Sequence, residues 1–115
     1  MAHVRKLRVW TLGMQIVRDV KSIVDGCPRT GVGDLRNQMV RAAISIPSNV
    51  AEGAGRESDM EFRRFLRIAL GSCRELETQL EIAWCLGLLD DATHQLVMDR
   101  VDHEGRMLRL LIRSL

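Results

Sequence analysis

The spacing of apolar residues constrains this chain more than any other feature. Through four separate segments they recur three and four apart, which lays them along one side of a helix, and no β-branched run alternates as a half-buried strand requires. In residues 9–24, Val9, Leu12, Ile16, Val20 and Ile23 form such a stripe, with Trp10, Val17 and Val24 beside it. Asp25-Gly26-Cys27-Pro28 stops this first helix, because glycine caps a C-terminus easily and proline cannot continue the hydrogen-bond ladder. Thr30-Gly31-Val32-Gly33 reads as loop. Asp34 offers an N-cap for a second helix carrying Leu35, Met39, Ala43, Ile46 and Val50; Pro47 is expected to kink or interrupt it, and Gly53-Ala54-Gly55 to end it.

Ser58-Asp59-Met60-Glu61 has the form of a capping box, in which the serine and glutamate side chains each satisfy a free backbone N–H. The third helix follows with Phe62, Phe65, Ala69, Cys73, Leu76, Leu80 and Ala83 on one seam and ends near Gly87. Asp90 or Asp91 caps the fourth, whose face holds Val97, Val101, Leu108, Leu111 and Leu115. Met107, Leu110 and Ile112 make the end of that helix apolar almost all round, more than one partner surface covers. Four helices, short connections and 115 residues predict one domain, residues 1–115, folded as an all-α antiparallel up-down-up-down four-helix bundle. The spare apolar surface predicts a homo-oligomer with Met107, Leu110 and Ile112 at the interface.

Charge is unevenly placed. Residues 1–74 hold 13 basic and 7 acidic side chains, residues 75–104 hold one basic and 8 acidic, and Arg106, Arg109 and Arg113 follow, so the net +2 hides a dipolar layout. Fifteen of the 17 basic residues are arginine, whose planar fork suits phosphate and carboxylate. At ~100° per residue, Arg63, Arg67 and Arg74 fall together opposite the core seam of the third helix, with Arg64 beside them. This ridge, extended by Arg56 and Arg36, reads as a phosphate track for structured RNA or DNA. The alternative is that these arginines pair with Asp59, Glu61 and Glu77 on their own helix or with an acidic stretch of another subunit.

A polar line of Arg41, Ser45, Asn49 and Glu52 borders the apolar face of the second helix, and Glu77 borders that of the third. The reading favoured is a hydrogen-bonded seam that sets helix register, with Arg41 and Glu77 as its coupled pair, rather than a ligand pocket. No catalytic constellation, cofactor motif or metal site is expected. Asp91-Ala92-Thr93-His94 is one imperfect match to a bundle-core metal motif, and His3 and His103 read as surface residues. Of the cysteines, Cys73 and Cys85 read as small buried hydrophobes and Cys27 as exposed; the odd count fits a reducing, cytoplasmic setting. The basic start followed by residues 9–17 lacks a small-residue cleavage site and reads as helix rather than signal peptide, and no stretch reaches the ~18 apolar residues of a membrane span.

Three runs carry a resemblance: residues 41–53, RAAISIPSNVAEG; residues 62–72, FRRFLRIALGS; and residues 75–80, ELETQL, with LRVW at residues 7–10 matching the opening. They resemble the four-helix-bundle family named for open reading frames in 23S rRNA intervening sequences. The resemblance covers nearly the whole chain and implies an up-down bundle assembled as a ring-like homopentamer without enzymatic activity. One branch is similar to the accessory variability proteins of diversity-generating retroelements, which implies nucleic acid and a reverse transcriptase as partners. This chain departs from the pattern at Cys27-Pro28, where an aromatic residue commonly precedes the proline. The combined expectation is a non-enzymatic homo-oligomer, pentameric by resemblance, that binds RNA or DNA through the arginine ridge; its rival is a protein-interaction scaffold presenting Glu75, Glu81, Asp90 and Asp91.

Overall fold

The computed structural model describes residues 2–28 and 32–115, with side chains from residue 5 onward. Four helices follow in order: α1 (Ala2–Asp25), α2 (Gly33–Ala54), α3 (Asp59–Cys85) and α4 (Asp91–Ser114). Each packs only against its neighbours in a closed square, α1 on α2, α2 on α3, α3 on α4 and α4 on α1. At ~1.5 Å per residue, α3 alone spans about 40 Å, close to the 44 Å long axis of the molecule. This is the antiparallel four-helix bundle that the periodicity demands. The core runs its full length through Val9, Ile16, Val20, Met39, Ile46, Val50, Leu66, Leu76, Leu80, Val101, Leu108 and Leu111.

The helix ends follow local chemistry. Ser58 caps α3 by accepting the Glu61 N–H at 3.1 Å. Only half of the expected capping box forms, because the Glu61 carboxylate turns to the Arg64 guanidinium at 2.8 Å, a charge-assisted bond stronger than one to a backbone N–H. Asp90 caps α4 through the Thr93 N–H at 2.7 Å, which holds its carboxyl below the usual range. After α3, Gly87 adopts φ +74°, and the Leu88 and Gly87 N–H groups bond the Ala83 and Trp84 carbonyls. That is a Schellman turn, and its left-handed residue is a glycine because any side chain there is strained.

Several boundaries differ from the sequence reading. Helix α1 extends to Ala2, well before Val9. The residue before α2 is Val32, which has no side-chain cap; Asp34 sits inside the first turn, where its charge favours the positive end of the helix dipole. Pro47 does not interrupt α2. It is buried within a continuous helix. The end of α2 falls where expected, at Ala54 with Gly55 as its C-cap, and Gly53 in its last turn serves as a contact point: a Cβ there would stand 2.7 Å from Phe65 Cβ and 2.9 Å from Phe62 Cδ1, so α2 and α3 meet at a separation only glycine permits. Cys27 is buried, its thiol donating to the Ile23 carbonyl, while Cys85 is exposed. The side chain of His3 and the Thr30-Gly31 part of the expected loop lie outside the described residues.

Candidate interaction surfaces

The alternating topology converts the charge order of the sequence into a charge order in space. Contacts between Gly13 and Glu104, Gly53 and Phe65, and Arg63 and Leu115 show which parts share an end of the bundle. Residues 5–13, 47–70 and 104–115 occupy that end and hold 10 basic and 5 acidic side chains; the other described residues hold 6 basic and 10 acidic. The molecule is thus an elongated dipole.

The arginine ridge is largely engaged within the chain. Arg36 is not on the α3 surface at all: its guanidinium donates twice, at 3.2 and 3.1 Å, to the Val24 carbonyl and closes the C-terminus of α1. Arg63 donates to the Leu115 carbonyl and ties the end of α4 to α3. Arg56 pairs with Glu52, Arg64 with Glu61 and Arg74 with Glu77. Arg56 and Arg64 also cover Phe65, their guanidinium carbons 4.9 and 4.6 Å from the ring centroid, a cation–π contact to a ring packed beneath them. Arg67 is exposed and makes no ion pair with any described residue. Of the six arginines, Arg64 and Arg74 do what the alternative reading required, pairing with Glu61 and Glu77 on their own helix, because exposed helix charges three or four apart reach one another readily; Arg56 takes Glu52 instead, and Arg36 and Arg63 bond backbone carbonyls far along the chain.

The polar seam is real in part and differently wired. Asn49 donates at 2.8 Å to the Ser45 carbonyl and at 2.9 Å to its hydroxyl, and Ser72 of α3 donates to Ser45 Oγ at 2.7 Å. Ser45 and Asn49 so lock α2 to α3 through a residue the sequence reading passed over. The expected Arg41–Glu77 pair does not form. Glu77 takes Arg74, 2.6 Å away on its own helix, Glu52 takes Arg56, and Arg41 is exposed.

Two exposed apolar surfaces flank α1. On the α2 side, Trp10 and Ile44 are 41% and 48% exposed around a shallow hollow floored by Val17, Pro47 and Ala51. On the α4 side an open groove of about 740 Å³ runs between the helices, floored by Leu7, Leu12, Met107 and Leu110 and bordered by Arg8 and Arg18. Leu7 and Leu110 are 56% and 53% exposed. Of the three expected interface residues, Leu110 is on the open surface and Met107 in the groove wall, whereas Ile112 is half-buried against the core.

A further group escaped the sequence reading. Glu104 of α4 is completely buried, and neither carboxylate oxygen has a hydrogen-bond partner. It fills the space left by Gly13 of α1: a Cβ on that glycine would stand 3.1 Å from Glu104 Oε2 and 3.4 Å from Ile46 and Pro47. Loss of hydration pushes its pKa up to about 8, so the side chain is held as the neutral acid at pH 7. The signal was present, since Glu104 falls between Val101 and Leu108 on the apolar face. Near the other end, Trp84 stacks on His94 with centroids 4.4 Å apart, donates to Asp91 at 2.8 Å, and His94 Nε2 lies 2.8 Å from Glu81. Among the described residues no group of His, Cys, Asp and Glu could hold a metal ion, and no helix is long and apolar enough to cross a membrane.

Comparison with known proteins places this arrangement. The sequence model of the family described as 23S rRNA-intervening sequence protein matches residues 5–110. The fold is similar to the crystal structure of a protein with unknown function from the S23 ribosomal protein family of Bacteroides thetaiotaomicron, with a TM-score of 0.82 over 97% of each chain at 17% identity. No curated protein matches the chain.

Proposed function

The chain belongs to the 23S rRNA-intervening sequence protein family, and from that premise we infer that it acts as a non-enzymatic, self-associating helical bundle in the cytoplasm. The observation that carries this reading is the apolar surface on both flanks of α1, where Leu7, Trp10, Ile44 and Leu110 stand in water in the single chain. Contiguous patches of this kind on a small domain are the ordinary mark of a protein interface. A ring of five subunits is the assembly we propose, following the family resemblance. Two of the side chains that chemistry could use are otherwise engaged: burial makes the Cys73 thiol harder to ionise, and His94 is held between Trp84 and Glu81.

Light scattering on the purified protein at micromolar concentration tests the reading. A multiple of the 13.0 kDa protomer mass is expected, and a monomer refutes it. A second reading, binding of RNA or DNA phosphates, is favoured by the basic end of the bundle, where Arg67, Arg109 and Arg113 make no ion pair with described residues. Fluorescence anisotropy with labelled structured RNA and duplex DNA at ~50 and ~200 mM salt tests it, since phosphate contacts weaken steeply with salt. Absence of binding at the lower salt refutes that reading and leaves the assembly.

A further inference from the structure

We propose that the seam between α1 and α4 is a proton-controlled gate, shut while Glu104 holds its proton and parted when loss of that proton turns the carboxylate out between the two helices. Glu104 is completely buried and neither of its oxygens has a partner. The notch that receives it is the missing side chain of Gly13 on α1. A neutral acid can stay there, whereas a carboxylate with neither a partner nor water cannot. Leu12 and Gln15 on α1 and His103 and Met107 on α4, the neighbours of Gly13 and Glu104 along their helices, line the open groove. The way from the carboxyl to water therefore runs between α1 and α4, past those side chains.

The surroundings favour exit over pairing in place. Beside the notch α2 supplies Ile46 and Pro47, neither of which carries a charge. From α3 come Cys73, whose thiol is made hard to ionise by burial and then by the Glu104 and Glu77 carboxyls, and Glu77 itself, already paired with Arg74. Arg100 of α4 is held by Asp19 of α1. The groove offers the opposite setting, because Arg8, Arg18 and His103 line it and none of them makes an ion pair with a described residue. The seam is also the joint with least to fasten it. Helices α1 and α4 are the first and last of the chain, and no turn joins them. Among the described residues the Asp19–Arg100 pair, at 2.6 Å, is the one polar side-chain link across it. By contrast, Ser45–Ser72 and the contact at Gly53 lock α2 to α3, and Arg63, Trp84 and His94 all bond between α3 and α4. The Glu104 carboxyl gives up its proton at about pH 8, so one proton leaves for each opening and about half of the molecules stand open there.

The protein's own cysteines test the gate. Cys73 is fully buried in the core, Cys27 is buried just beyond the end of α1, and Cys85 is exposed. Each is alkylated with iodoacetamide at pH 6, 7, 8 and 9, and its rate is divided by that of Cys85, which removes the pH dependence of the thiolate itself. The Cys73 ratio is expected to rise about tenfold per pH unit between pH 6 and 8 and then level off, reaching within severalfold of Cys85 and passing Cys27. Glu104→Gln and Glu104→Met, each shown to be helical by circular dichroism, are expected to keep the Cys73 ratio flat and low. A flat ratio in the wild type overturns the gate, and so does a rise that persists in either variant. Cys27 and Cys73 ratios that rise together at every pH also overturn it, because unfolding of the whole bundle would then expose both. Should a variant fail to fold, the wild-type ratios decide by themselves.

Discussion

Replacing Glu104 by glutamine should stabilise the protein at neutral pH and leave it little changed in acid. In the folded chain the Glu104 carboxyl stays protonated up to about pH 8, against 4.5 for an ordinary glutamate, because nothing in the core solvates or pairs its charge. In the unfolded chain it ionises near the ordinary value. Below pH 4.5 both states hold the proton and the group costs nothing through ionisation. As pH rises from 4.5 toward 8 the unfolded state alone releases its proton, and stability falls by ~1.4 kcal/mol per pH unit. That amounts to about 3 kcal/mol by pH 7 and about 4 kcal/mol by pH 8, levelling off near 5 kcal/mol above it. Glutamine matches the shape and cannot ionise, so this loss disappears. Urea unfolding followed by circular dichroism at pH 5, 6, 7 and 8, at one fixed protomer concentration, gives the difference between variant and wild type. The difference should be small at pH 5 and widen to several kcal/mol by pH 8. A difference that is flat with pH refutes the argument, because the carboxyl would then titrate alike in both states.

Two other substitutions probe the packing. Gly53→Ala should cost about 1–3 kcal/mol in the same unfolding experiment, since its Cβ meets Phe62 and Phe65 at less than contact distance; a neutral result would mean that α2 and α3 separate freely. Arg36→Ala removes both hydrogen bonds on the Val24 carbonyl and should cost about 1–2 kcal/mol, while leaving the salt dependence of any nucleic-acid binding unchanged. A weakened salt dependence would return Arg36 to the phosphate-binding set.

The legible parts of the fold were those governed by neighbours in sequence. Ser58 and Asp90 cap their helices as their positions predict, and the four apolar stripes become the core. Gly53-Ala54-Gly55 ends α2 as its residues predict, whereas Pro47 does not interrupt the helix, because burial against α1 holds the helix together around it. The polar seam was found at Ser45 and Asn49 and mispaired at Arg41, because a residue three or four positions away competes with any partner across the bundle. Arg74 reached Glu77 for that reason. Cys27 and Cys85 were exchanged in burial, each lying near a helix end where one turn of the backbone decides which way a side chain faces.

The sequence by itself determined four amphipathic helices, their order, the apolar surplus at the end of α4 and a strong separation of charge, since each depends on spacing of three or four residues or on composition. Only the tertiary structure decided that Arg8, Arg18, Met107 and Leu110 border one groove, that Ser72 completes the seam, and that Glu104 sits without a partner opposite Gly13. Those relations join residues tens of positions apart. They are set by which helices become neighbours and at what separation, and no local spacing encodes that.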